Sequence, residues 1–168
     1  MIFALALLLA TAPPSAAKLD HSTCPIHRQH AAANEHGKAV DARHDTFGMS
    51  HETTRHSFRL LRSGGAIELR NLTTDVETTK AIRSHLRQVT EDFSRGDFSK
   101  PLFVHGEVPP AVDRMKELAG AIRYRYEKLP DGGRIRILTA TPAAASAVHD
   151  FLRFQIEDHR TGDPGRVE

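Results

Sequence analysis

The chain has one cysteine, no tryptophan and no excess of charge. A lone Cys24 cannot form a disulfide within the chain, and in an oxidising compartment it suggests an intermolecular bond, a reactive thiol or a metal ligand. Lysine and arginine total 23 against 21 for aspartate and glutamate. This balance argues against a protein that binds nucleic acid by electrostatic attraction, because such proteins carry a marked positive excess.

The chain also lacks an apolar run long enough to span a bilayer, which takes about 20 residues. The run at residues 2–10 is followed by prolines and by Ser15-Ala16-Ala17, a small-x-small cleavage pattern. We therefore predict a signal peptide over residues 1–17, cleaved near Ala17. The mature protein is then predicted to be periplasmic or secreted, without membrane association after cleavage. An uncleaved anchor is the alternative.

Catalytic signatures are missing as well. The sequence contains no G-x-S-x-G nucleophile elbow, no H-E-x-x-H zinc motif and no glycine-rich phosphate loop. A binding protein is therefore favoured over an enzyme, and a small hydrolytic enzyme is the less favoured alternative.

An internal repeat organises the chain from residue 48 onward. FRLLRSGGAIELRNL (58–72) resembles YEKLPDGGRIRILTA (126–140) at an offset of 68, and AIRSHLRQVTEDFSRGD (81–97) resembles AVHDFLRFQIEDHRTGD (147–163) at an offset of 66. Gly-Gly between alternating apolar and polar residues indicates a hairpin turn. Apolar residues spaced three and four apart indicate a helix. Each copy thus predicts a helix, two strands joined by a Gly-Gly turn, and a second helix.

These elements predict an α+β fold, in which tandem duplicated α-β-β-α units form a four-stranded antiparallel sheet with helices packed on one face. The single domain covers residues 48–163, with repeat one at 48–97 and repeat two at 109–163, and a tail covers 164–168. Residues 18–47 contain few large apolar residues and no sustained period. They are therefore predicted to form a flexible, histidine-rich leader.

Histidine is abundant. Of 11 in the chain, seven lie between residues 21 and 56: His21, His27, His30, His36, His44, His51 and His56. His56 shares strand parity with Phe58 and should face the helices, and His85 aligns with Phe151 beside the buried stripe of its helix. Burying an unpaired imidazole costs about 1–3 kcal/mol. We predict that His51, His56 and His85 share a metal ion; structural hydrogen bonds are the alternative.

The leader carries a second candidate set. Cys24, His27 and His30 follow one another at intervals of three, which one helical turn could gather around an ion. Thiolate with imidazole favours copper(I) or zinc. The string CPIH (24–27) resembles the CPMH core of heavy-metal-binding modules of bacterial copper-handling proteins, which implies a mobile second site. A disordered leader with adventitious metal affinity is the alternative.

Longer segments carry a further resemblance: Ser50-His51-Glu52-Thr53-Thr54, Phe58-Arg59-Leu60, Gly64-Gly65 and His149-Asp-Phe-Leu-Arg-Phe-Gln-Ile156. From Met49 to Asp163 the chain resembles a family of small exported bacterial proteins without an established function. Two histidines of that family's pattern are Ser57 and Gln88 here, which depletes a site built wholly from histidine. The aspartate carbamoyltransferase name sometimes attached to such proteins finds no support, because the chain is too short for that two-domain fold and lacks a Ser-Thr-Arg-Thr loop.

The sequence therefore predicts an exported protein that binds a transition metal, with copper favoured over zinc, and acts in sequestration or delivery. A homodimer or a complex with a periplasmic partner protein is a further expectation, and no nucleic acid is expected. The alternative function is an interaction module that binds no metal and whose histidines are structural.

Overall fold

The computed structural model describes residues 25–168, so the predicted signal peptide and Cys24 lie outside the described residues. The elements follow one another along the chain as α1 (Pro25–Asp45), β1 (Thr54–Leu61), β2 (Gly64–Asn71), α2 (Val76–Ser94), α3 (Ser99–His105), α4 (Val112–Glu117), β3 (Ile122–Leu129), β4 (Gly132–Thr139) and α5 (Pro142–Asp158). A short 3-10 helix, Ala119–Ala121, precedes β3. None of the described helices combines the length and the apolar character needed to cross a bilayer.

The four strands form one antiparallel sheet in the order β1-β2-β4-β3. This confirms the predicted α+β class and its four-stranded antiparallel sheet. Each hairpin pairs neighbouring strands, and the two hairpins join through β2 and β4, where Ile67 lies opposite Ile135. The sheet therefore has β1 and β3 as its edge strands.

The two Gly-Gly pairs lie at the start of the central strands, just after the hairpin turns in which they were expected. A Cβ atom at Gly64 would lie 2.2 Å from the carbonyl oxygen of Ile137, and one at Gly132 would lie 2.0 Å from that of Leu69. Real Cβ atoms do not approach so closely. The glycines thus permit the close contact of β2 with β4.

The helices α2 and α5 contribute to one core, and each lies mainly over the hairpin of the other half. α2 packs against β3 and β4, while α5 packs against β1 and β2. Asp75 caps α2 by accepting hydrogen bonds from the backbone of Glu77 and Thr78, and Thr141 caps α5 in the same way. The end of α5 therefore reaches β1, and the end of α2 reaches β3.

The region before β1 differs from the expectation in two respects. Much of the predicted leader is helical, because α1 extends to Asp45 and buries Val40 and His44. The helix expected before the first hairpin is replaced by a turn at residues 51–53, which His51 begins. Only tertiary contact explains the first difference, since α1 lacks the apolar period of a core helix.

Candidate metal centre

Four histidines meet beside β1, and each comes from a different part of the chain. His44 lies in the last turn of α1, His51 in the turn before β1, His56 in β1 itself, and His159 directly after α5. We refer to these four as the imidazole cluster. Gly48, with a φ of 74°, reverses the chain between α1 and β1. That reversal brings His44 and His51 back towards the strand.

Three members of the imidazole cluster are packed closely. The ring centres of His44 and His56 are 4.4 Å apart, those of His44 and His159 are 4.9 Å apart, and those of His56 and His159 are 5.0 Å apart. His51 lies further out, 5.5–6.1 Å from the other three. Its side chain is 30% exposed, whereas His44 is 5% and His159 7% exposed. The cluster is thus an inner trio, formed by His44, His56 and His159, with a fourth ring beside it.

Each ring of the imidazole cluster has a buried nitrogen without a hydrogen-bond partner in the described structure: His44 Nδ1, His51 Nε2, His56 Nδ1 and His159 Nδ1. The nearest carboxylate, Asp41, places Oδ1 3.3 Å from His51 Nε2, but the direction is unsuitable for a hydrogen bond. An unpaired buried polar atom costs about 1–3 kcal/mol. These four nitrogens therefore represent a considerable unfavourable energy unless a ligand contacts them.

The protonation of the inner trio suits metal ligation. Burial, reinforced by the neighbouring imidazoles, lowers the pKa of His44 to about 3. The same two causes, burial first, hold the pKa values of His56 and His159 well below the ordinary value for histidine. All three rings are consequently neutral at pH 7, and neutral imidazole is the form that binds metal ions.

The third predicted ligand, His85, is not part of the imidazole cluster. Its ring packs against Phe47, with the centres 5.2 Å apart. Burial and then the charge of Lys100 lower its pKa to about 4. Of the three predicted ligands, the structure therefore places His51 and His56 in one cluster, with ring centres 5.5 Å apart, and His85 in the wall of a neighbouring cavity.

Two carboxylates surround the cluster without joining the inner trio. Asp41, beside His51, accepts a hydrogen bond from Arg160 at 2.9 Å. Asp158 contacts His36 Nε2 at 2.6 Å and also His105 Nδ1, and the ring of His105 lies 5.0 Å from that of His159. The carboxylates thus contact side chains around the inner trio and form no hydrogen bond to its rings.

Of the predicted leader site, His27 and His30 belong to the first turns of α1, and Cys24 lies outside the described residues. At about 1.5 Å per residue, the helix backbone separates His27 and His30 from His44 by roughly 20–25 Å. A second site formed by Cys24, His27 and His30 therefore remains a prediction.

Sequence reasoning did not propose His44 and His159 as ligands. His159 is buried. The predicted repeat contains a signal for this burial, because it aligns His159 with Phe93, a core residue, at the offset of 66. His44 had no comparable signal, since its helix has no apolar period and the residue is buried only by tertiary contact.

The rings are close to a ligating arrangement but not in it. Within residues 25–168, no group of three or more His, Cys, Asp or Glu side chains is already placed to hold an ion. An ion about 2.0–2.1 Å from each imidazole nitrogen in a tetrahedral site sets the ring centres roughly 5 Å apart. The inner trio has separations of 4.4–5.0 Å. These separations lie near that value, although the present ring orientations do not direct three nitrogens at one point.

A cavity of ≈ 60 Å³ adjoins the inner trio. All three rings line it, together with Gln155 and a largely apolar wall. Comparison with known proteins adds no assignment: no protein family, curated protein or solved structure matches the chain. The function is therefore argued from the geometry and chemistry of the site.

Proposed function

We propose that the protein binds one transition-metal ion in the imidazole cluster and acts in its sequestration or delivery outside the cytoplasm, without catalytic turnover. His44, His56 and His159 are the inner ligands, and His51 approaches as a fourth. The supporting observation is the clustering of four imidazole rings, each of which has a buried nitrogen without a hydrogen-bond partner in the described residues. An ion bound by these rings would give those nitrogens a partner.

The donor set favours copper(II) over zinc. Imidazole ligands suit both ions, and among divalent first-row metals copper(II) binds a given nitrogen site most tightly. The described part of the site contains no thiolate, so the donors give no preference for copper(I).

The placement of the ligands suits release as well as binding. His44 belongs to α1 and His51 to the turn before β1, whereas His56 belongs to β1 and His159 follows α5. Polar contacts between α1 and the rest include the hydrogen bond from Arg43 to the carbonyl oxygen of Val104 at 3.1 Å. An ion in the cluster would therefore fasten α1 to the domain, and loosening of α1 would open the site.

The test is the metal content of untagged protein purified from the periplasm, measured again after chelation and reloading. We expect the His56→Phe/His159→Phe variant to lose one ion per chain while its circular dichroism spectrum is retained. A matched variant, His36→Gln/His149→Gln, also removes two histidines but none from the cluster, and it should keep the ion. A Cys24→Ser/His27→Gln/His30→Gln variant measures any leader site separately.

The alternative is that the cluster is structural and the protein is an interaction module. Ring stacking between His56 and His159, whose planes are 9° apart, favours it. That function requires equal metal content in the wild type and in the His56→Phe/His159→Phe variant. Such a result would exclude a metal site in the imidazole cluster.

A further inference from the structure

We propose that the cavity beside the imidazole cluster binds a small monovalent anion of two or three non-hydrogen atoms as an additional ligand of the metal ion. This inference rests on the proposed function, because the ion supplies the main attraction. The anion would occupy the coordination position that faces the cavity.

That position is left open by the arrangement of the rings. The inner trio, His44, His56 and His159, lines the cavity, whereas His51 does not. An ion held by the trio therefore meets His51 from outside the cavity. With the inner trio and His51 as four ligands, the anion would be a fifth ligand, a coordination number that zinc sites can also reach.

The size of the cavity limits the ligand. Its volume is ≈ 60 Å³, and a water molecule needs about 10–15 Å³ of such space. By this measure the cavity has room for about four to six water-sized groups, so an anion of two or three non-hydrogen atoms fits without movement of the walls. Leu86, Val89 and Phe151 form part of the apolar wall, which offers no hydrogen bonds to a larger polar molecule.

Charge favours an anion over a neutral ligand. A divalent ion bound by neutral imidazoles keeps its full charge, because imidazole ligands add none. The nearby carboxylates contact other groups: Asp41 lies beside His51 and Arg160, and Asp158 contacts His36 and His105. One lysine, Lys100, also lines the cavity. Lys100 is paired with Asp92.

A hydrogen-bond donor is also present. Gln155 is 5% exposed and lines the cavity. Its Oε1 accepts a hydrogen bond from His105 Nε2 at 3.0 Å, and its Nε2 has no partner in the described residues. A bound anion with a terminal acceptor atom would give this amide nitrogen a partner.

The experiment uses the full chain loaded with copper(II) and titrated with sodium azide. A terminal nitrogen of azide donates a lone pair to copper, any water there leaves, and no electron is transferred. We expect a saturable azide-to-copper charge-transfer band. Val89→Leu, which adds a methylene group to the cavity wall, should weaken azide binding at least tenfold with unchanged copper content. Val112→Leu makes the same change at a buried valine outside the cavity and should bind azide like the wild type.

A second variant tests the anion site independently, in case Val89→Leu does not fold. Gln155→Leu removes the unpaired donor and should weaken azide binding several-fold. Copper uptake without an azide band, or wild-type azide affinity in both Val89→Leu and Gln155→Leu, would overturn the anion site while leaving metal binding intact. Failure to take up copper at all would overturn the proposed function, and the anion site with it.

Discussion

The two edge strands of the sheet hold residues at corresponding positions, but these residues have different neighbours. His56 is the third residue of β1, and Tyr124 is the third residue of β3. At the β3 edge, Tyr124 meets Phe93 from the end of α2, with ring centres 5.6 Å apart. At the β1 edge, His56 meets His159 from the end of α5, at 5.0 Å. One fold position thus holds an aromatic pair at one edge and an imidazole pair at the other.

The two edges differ in whether the side chains there have all their polar atoms paired. The rings of Phe93, Phe98, Tyr124 and Phe151, here termed the aromatic cluster, contact one another at 4.5–6.0 Å, and such contacts stabilise the core. Imidazoles in the corresponding place bury nitrogens that have no partner in the described residues. Aromatic rings satisfy this position by themselves, and this contrast is a reason for our proposal that the imidazoles bind a ligand.

Acid should reveal the largest difference between the two edges. The pKa of His44 is lowered to about 3 and that of His85 to about 4, and those of His56 and His159 are well below the ordinary value. The unfolded chain therefore binds more protons than the folded one between these values and about pH 6.5. Stability is complete above pH 6.5 and falls below it, by at most about 1.4 kcal/mol per pH unit for each imidazole.

Urea denaturation of the metal-free protein between pH 7 and pH 5 measures this loss. We expect a decrease of several kcal/mol in the free energy of unfolding, and a smaller decrease in the His56→Phe/His159→Phe variant. A free energy that stays constant over this range would show that the imidazoles are not buried in their neutral form.

The sequence predicted the sheet better than the imidazole cluster, for a physical reason. The alternation of Ile135 and Ile137 with arginines is a local consequence of burial on one face, so a period of two reveals the strand. The site instead depends on where α1 packs, and no local pattern around His44 encodes that contact. The burial of His159 could have been predicted from the sequence, since the predicted repeat aligns it with Phe93.

Moving an imidazole to the aromatic cluster should have an intermediate effect. Phe93→His introduces a polar ring into a closed apolar setting, and we expect a loss of about 2–3 kcal/mol at pH 7 from weaker packing and an unpaired nitrogen. Phe103→His is the matched control, because Phe103 is 50% exposed and should change stability by less than about 1 kcal/mol. Thermal or urea denaturation of both variants gives the comparison. Equal losses would mean that the aromatic cluster is no more closed than the surface.

The reverse replacement should change the free energy of unfolding least, and it should increase it. His56→Phe puts an apolar ring at the β1 edge, where the adjoining cavity of ≈ 60 Å³ accommodates its larger volume. The metal-free variant should gain about 1–2 kcal/mol, since an unpaired buried nitrogen is removed.

His149→Phe supplies the contrast, because the same substitution then removes a histidine whose bonds are satisfied. His149 Nε2 contacts the carbonyl oxygens of Leu61 and Gly64, each at 2.9 Å, across the β1–β2 turn. Its loss should cost about 1–3 kcal/mol. Urea denaturation with a chelator compares the two variants, and added copper should then stabilise His149→Phe but not His56→Phe. If His56→Phe is instead as destabilising as His149→Phe without metal, His56 stabilises the fold in its own right. The imidazole pair would then have the same structural role as the aromatic pair.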